Sequence, residues 1–201
     1  VLAGAGSGKT SVITTKITYL IEQCGISARN IAAVTFTNKA AREMRERVSK
    51  LLPSRETRGL IVATFHNLGL TILREEHRVL GYKSGFSIFD SEDAKALIKD
   101  IMLKDFEDAE DEVVEVQSMI SNLKNDMLSP ERALSLSQSH REQRIAMIYA
   151  KYNQYLKAYN AMDFDDLILL VVKLFQENKE VLTKWQNRVR YLLVDEYQDT
   201  N

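Results

Sequence analysis

Lys9 and Thr10 close the run Ala3-Gly4-Ala5-Gly6-Ser7-Gly8-Lys9-Thr10, in which glycine recurs at every second position. Glycines let a loop wrap an anion without Cβ clashes, so that backbone N–H groups and the start of a following helix face the charge. In such a loop Lys9 reaches the β- and γ-phosphates of a nucleotide and the Thr10 hydroxyl ligates Mg²⁺. The strict pattern opens on glycine, whereas Ala3 stands at that place here. The second group able to do chemistry is Asp195-Glu196, directly after the apolar run Leu192-Leu193-Val194. Carboxylates at the C-terminal end of a buried parallel strand lie at the sheet edge where ligands sit. Asp195 then suits Mg²⁺, usually through water, and Glu196 suits orienting or deprotonating an attacking water. Together the two groups point to nucleoside triphosphate hydrolysis rather than to binding alone.

The elements that must position these groups are legible around them. Ile31–Phe36 and Leu60–Phe65 are short runs rich in apolar and β-branched residues, as buried strands should be. Between the glycine loop and the first run, Ile13, Ile17, Leu20 and Cys24 share one helical face, and Gly25 stands where a C-cap belongs. Asn38 is expected to cap a second helix that runs to about Leu51 and is closed by Pro53. This alternation predicts an α/β fold with a parallel sheet and helical crossovers. From Leu68 to Asn187 no alternating strand is apparent. Helical patterns recur there over Leu68–Leu80, Ser91–Lys104, Val113–Lys124, Pro130–Leu136, Arg141–Tyr159 and Asp163–Gln176, before Tyr191–Val194 returns as a strand. The expectation is an all-helical subdomain inserted into the α/β domain.

Composition narrows the class. The chain has 201 residues, 27 Lys and Arg against 28 Asp and Glu, 45% hydrophobic residues, 8 Gly and 2 Pro, which suits a globular fold and excludes a collagen-like or disordered chain. The neutral total hides asymmetry. Residues 39–58 carry seven basic and three acidic side chains, and residues 90–116 carry three basic and eleven acidic ones. Any nucleic-acid contact is therefore expected from a local patch rather than a global field. The single cysteine, Cys24, cannot form an internal disulfide; it fits a reducing cytoplasm and is expected to be a small buried apolar residue. The longest apolar run, Leu167–Val172, is too short to span a bilayer, and the first residues carry no basic leader, so a cytoplasmic protein with no membrane partner is expected.

The motifs Ala3–Thr10, Val34–Val48 (VTFTNKAAREMRERV), Thr64-Phe65-His66, Asp163–Leu167 (DFDDL) and Leu192–Asn201 (LLVDEYQDTN) resemble, in the same order, those of superfamily 1A DNA helicases, the UvrD/Rep/PcrA family. Trp185-Gln186-Asn187 and Arg190–Asn201 are nearest in wording to its Rep-type members. The resemblance covers the whole chain. It implies a RecA-like P-loop domain, 1A, whose parallel sheet has helices on both faces, over 1–67 and again over 188–201, with a helical insertion, 1B, over 68–187.

The resemblance also assigns roles. Lys9, Thr10, Asp195 and Glu196 keep the parts given above, with ATP and Mg²⁺ as cofactors; Ala3, Gly4, Ala5, Gly6, Ser7, Gly8 and Ser11 complete the nucleotide site. Gln198 matches the glutamine associated with sensing the γ-phosphate and coupling it to DNA. Arg47 matches an arginine near the γ-phosphate, or is a solvated helix charge. Phe36, Thr37 and Asn38 after one strand, and Thr64, Phe65 and His66 after the next, match segments that meet single-stranded DNA. There an aromatic ring stacks on a base and small polar groups hold phosphate, although Phe36 also suits a core. Asn122-Leu123-Lys124-Asn125 resembles a segment that approaches DNA, with Lys124 a phosphate contact or a solvated lysine. Asp163, Asp165 and Asp166 fit helix capping and first-turn charge better than a metal cluster. The acidic stretch 105–112 is expected to be a solvated loop, and His77 and His140 to be structural.

The activity so implied is ATP-dependent 3′–5′ translocation on single-stranded DNA and unwinding at single-strand/duplex junctions, with replication or repair proteins as further partners. The second RecA-like domain and its arginine finger fall outside these residues, so weak or no turnover and no unwinding are expected of the 201 residues alone. A non-catalytic nucleotide- or DNA-binding module and an RNA-directed P-loop ATPase stay open as alternatives.

Overall fold

Strand Ile31–Thr35 (β1) is buried along its whole length, on both faces, as its unbroken apolar run requires. A computed structural model describes residues 9–106 and 112–199 of the chain. The expectations for residues 3–8, for the side chain of Lys9 and for the acidic residues 107–111 lie outside the described residues.

The chain forms two compact units, one of Val1–Thr71 with Phe175–Asn201 and one of Ile72–Leu174. In the first, β1 lies between Ile61–Thr64 (β2) and Tyr191–Val194 (β5), and both pairings are parallel. The register sets Thr35 beside Thr64 and Val34 beside Val194, so all three strands end together. Helix α1 (Lys9–Glu22) and helix α2 (Asn38–Leu51) supply Ile17, Leu20, Met44 and Val48, which pack with Ile31, Ala33 and Val62 of the sheet. The cap of α2 is Thr37, whose Oγ1 accepts from Ala40 N at 3.1 Å, and not Asn38, which is the first helical residue. Helix α1 stops at Glu22, and Cys24 beyond it is exposed, contrary to the expectation of a buried residue. Gly25 follows with φ +65°, the left-handed conformation that a helix end favours. Helix α9 (Lys179–Arg188), capped by Asn178 and anchored by buried Val181 and Trp185, had no counterpart among the expected helices.

The second unit is built on α4 (Ser91–Asp105), α5 (Val113–Asn125), α6 (Pro130–Leu136) and α7 (His140–Ala158). Its core joins Ile98 and Ile101, Val116 and Ile120, and Ile148, Tyr149 and Tyr152 of these helices. It is not all-helical. Ser87–Phe89 (β3) and Ala161–Asp163 (β4) pair in parallel, three residues against three, too short for alternation to show in the sequence. Helices α3 (Phe65–Glu76) and α8 (Asp166–Glu177) contain the points where the two units part.

Candidate functional site

Parallel strands that end in register deliver their following residues to one sheet edge. After β5, Asp195 continues the ladder, its N–H donating to Val34 O at 2.9 Å, and its side chain is buried. The Thr10 hydroxyl, in the first turn of α1, donates to Asp195 Oδ2 at 3.0 Å. A hydroxyl and a carboxylate, both hard oxygen donors, form the kind of set that Mg²⁺ takes beside a phosphate. Among the described residues no three His, Cys, Asp or Glu side chains gather into a metal site.

Glu196 follows with φ +52°, a left-handed conformation that costs a non-glycine residue about 1–3 kcal/mol. Its N–H donates to Asp195 Oδ1 at 3.1 Å, and its carboxylate Oε2 accepts from the Gln198 side-chain amide. The strained turn thus separates two adjacent carboxylates. Asp195 points back to Thr10, while Glu196 is engaged by the exposed Gln198. Thr10, Asp195, Glu196 and Gln198 are brought together. Ser11 is exposed in the first turn of α1, and Arg47 is exposed on α2. The neighbouring Arg45 instead reaches the sheet, its guanidinium donating to Val62 O at 2.6 Å.

The same edge carries the segments after β1 and β2. Phe36 is 40% exposed, and its ring lies 5.4 Å from that of half-buried Phe65 at an interplanar angle of 53°. Thr37 and Asn38 are exposed and His66 is half-buried. Thr64 is buried, and its Oγ1 accepts from Asn67 N at 3.2 Å, so it shapes the turn rather than facing outward. Asn67 then bridges the two segments: its side-chain amide donates to Asn38 Oδ1 at 2.9 Å. Asn67 was not among the expected site residues. A polar residue near a helix start gives no sign of a partner 29 positions earlier.

Lys124 requires a correction. Its side chain is fully buried, and its ammonium lies 2.7 Å from Asp163 Oδ2, 2.8 Å from Asp166 Oδ1 and 5.2 Å from the centre of the Tyr152 ring. It is held inside the second unit and is not presented to a DNA phosphate. Asp163 and Asp166 also exchange backbone bonds, Asp163 N to Asp166 Oδ2 at 3.1 Å and Asp166 N to Asp163 Oδ1 at 3.0 Å, and Tyr152 donates to Asp163 at 2.9 Å. The aspartates therefore do cap a helix, as expected, and pair with a lysine as well. Burial alone lowers the affinity of Lys124 for its proton, but Asp166 and Asp163 outweigh it and raise its pKa. One ammonium cannot compensate two buried carboxylates. Burial and the nearby Asp163 charge push Asp166 from 3.8 up to about 6, against the pull of Lys124.

Comparison with known proteins bears on this geometry. The UvrD/REP helicase N-terminal domain family matches residues 1–201. The chain belongs to this family. It is 54% identical over 201 residues to the ATP-dependent DNA helicase Rep of Escherichia coli (strain K12), covering all of this chain and 30% of that protein. Rep of Buchnera aphidicola subsp. Acyrthosiphon pisum (strain APS) is 46% identical over 201 residues, again with all of this chain and 31% of that protein. The ATP-dependent DNA helicase PcrA of Staphylococcus aureus (strain Mu50) is 42% identical over 202 residues, with all of this chain and 28% of that protein. This UvrD/Rep-family chain thus spans under a third of the length of these relatives. Among the described residues no helix is long and apolar enough to cross a membrane.

Proposed function

We propose that this chain is the first motor segment, domain 1A with its 1B insertion, of a cytoplasmic ATP-dependent DNA helicase that moves 3′–5′ on single-stranded DNA and opens single-strand/duplex junctions. One observation carries the reading: the 3.0 Å bond from Thr10 to Asp195, with Glu196 beside it, at the sheet edge that also holds Phe36 and Phe65. Names of relatives 42–54% identical, all ATP-dependent DNA helicases, support it.

In this reading the phosphate loop, 3–8 with Lys9, takes the triphosphate of ATP, aided by Ser11 and Arg47. Thr10 and Asp195 would hold Mg²⁺, which supplies charge neutralisation at the β- and γ-phosphates. Glu196 accepts a proton from the water that attacks the γ-phosphate, and its left-handed turn aims it away from Asp195. Gln198, bonded to Glu196, feels any change in that carboxylate's partners and is placed to pass it on. Phe36 stacks on a base while Thr37, Asn38 and His66 hold the backbone, and Asn67 keeps the two strand-end segments in step. A second RecA-like domain completes the cleft with an arginine, an addition worth about 10³–10⁵ in rate in comparable enzymes, so the 201 residues alone turn over little ATP. Replication or repair proteins are its further partners.

The test is ATP turnover by the full-length protein with single-stranded DNA, with RNA and with neither, beside Glu196→Gln. Stimulation by DNA alone, abolished in the variant, is expected. Equal rates in all three conditions would overturn the reading.

A further inference from the structure

The opposite edge of the same sheet, where the strands begin, gathers positive charge. Arg29 precedes β1, Arg58 precedes β2 and Arg188 precedes β5; with Asn30 and Gly59 they line one open cleft of about 450 Å³. Three arginines and no acidic residue are among the residues that line it.

The backbone that carries these side chains is pinned. The Asn30 side-chain amide donates to Asn187 O at 3.3 Å and to Arg188 O at 3.0 Å, and Arg190 N donates to Asn30 O at 2.9 Å. Thr57 O accepts from Leu60 N at 3.0 Å, closing a turn in which Gly59 has φ +90°, as the third position of a type II turn demands. A Cβ on Gly59 would stand 3.0 Å from Arg29 Cβ and 3.3 Å from its Cα, so only glycine lets the two segments come this close. Arg188 lies over Trp185, its guanidinium carbon 4.6 Å from the ring centre, and Trp185 is buried.

We propose that Arg29, Arg58 and Arg188 form a phosphate-binding cleft at the N-terminal edge of the sheet, separate from the phosphate loop. Guanidinium groups match phosphate oxygens in fork geometry, and arginines brought from three separate segments can surround one anion where a single helix face cannot. The phosphate is supplied either by a small free polyphosphate or by the backbone of duplex DNA. The inference does not rest on the motor reading.

Trp185 is the single tryptophan of the chain and reports from beneath Arg188. Its emission is followed while the 201-residue chain is titrated with inorganic pyrophosphate and, separately, with a blunt DNA duplex. A saturable shift is expected that survives Lys9→Ala and weakens about tenfold in each of Arg29→Gln and Arg58→Gln, the loss of one charge-assisted contact. A shift with pyrophosphate alone assigns the cleft to free phosphates; a shift with the duplex, alone or as well, assigns it to a nucleic-acid backbone. No shift with either probe, in a chain that retains its cooperative unfolding transition, overturns the proposal. So does a shift that Lys9→Ala abolishes or that both glutamine variants leave unchanged. ATP turnover is not read, so failure here leaves the motor reading intact.

Discussion

The hydroxyl of Thr10 and the carboxylate of Asp195 meet at 3.0 Å although 185 positions separate them in the chain. The bond joins the first turn of α1 to the end of β5. If Glu196 beside it is the base, Glu196→Gln keeps the shape and loses the proton acceptor. Turnover of the full-length protein should fall about 10²–10⁴-fold while nucleotide binding stays within a few-fold. Steady-state rates and equilibrium binding on the same preparation check this.

Phe36 shows the strand edge at its most testable. Its ring is substantially exposed and lies tilted at 53° to that of Phe65, so truncation should cost little stability. Phe36→Ala is expected to weaken single-stranded DNA binding by about 1–3 kcal/mol, the worth of one base on one aromatic ring. Fluorescence anisotropy with a labelled oligonucleotide, alongside a melting curve, separates the two effects.

Lys124 is a stability residue. Lys124→Met leaves Asp163 and Asp166 buried without their cation, a loss of about 3–5 kcal/mol, read as a shift in urea midpoint. Adding Asp163→Asn and Asp166→Asn to the same chain should recover part of it, because the stranded charges go with the lysine.

Asp166 gives this unit a pH signature. Its proton is held more tightly in the folded chain, at about 6, than at the ordinary value of 3.8. Between those values the folded state binds more protons than the unfolded one, so the contribution of this group to stability is greatest below about pH 4 and is lost as pH rises through about 6. Urea midpoints across that window should fall with rising pH, against the direction an exposed ion-paired carboxylate would give. Asp166→Asn should flatten the trend.

Gly59 is expected to tolerate no side chain. Its φ of +90° and the 3.0 Å approach that a Cβ would make to Arg29 Cβ act together. Gly59→Ala should cost about 1–3 kcal/mol from the backbone alone, with the clash added to it. Thermal unfolding of the variant measures the sum.

The parallel sheet was largely legible in the sequence. Tyr191–Val194 is the strand expected, β1 and β2 end within a residue or two of their apolar runs, and Ile17 and Leu20, two of the four residues expected on one face of α1, do pack on them. These are local facts: period and strand-forming runs are written in neighbouring residues. The sequence alone also determined that Asp195 and Glu196 follow a strand, but not its burial: the expectation of a buried strand fails at Leu192, which is 54% exposed. Only the tertiary structure decided the pairings. Lys124 reads as a solvated or DNA-facing lysine until Asp163 and Asp166, 39 and 42 positions later, fold over it. Asn67 gains its meaning from Asn38, and Arg29 from Arg58 and Arg188, each through a strand register that no single window contains. Strands of three residues, such as β3 and β4, are too short to show a period and exist because each finds the other 74 positions apart. Local sequence sets which elements form; long-range packing sets which charges are buried, paired or left to bind.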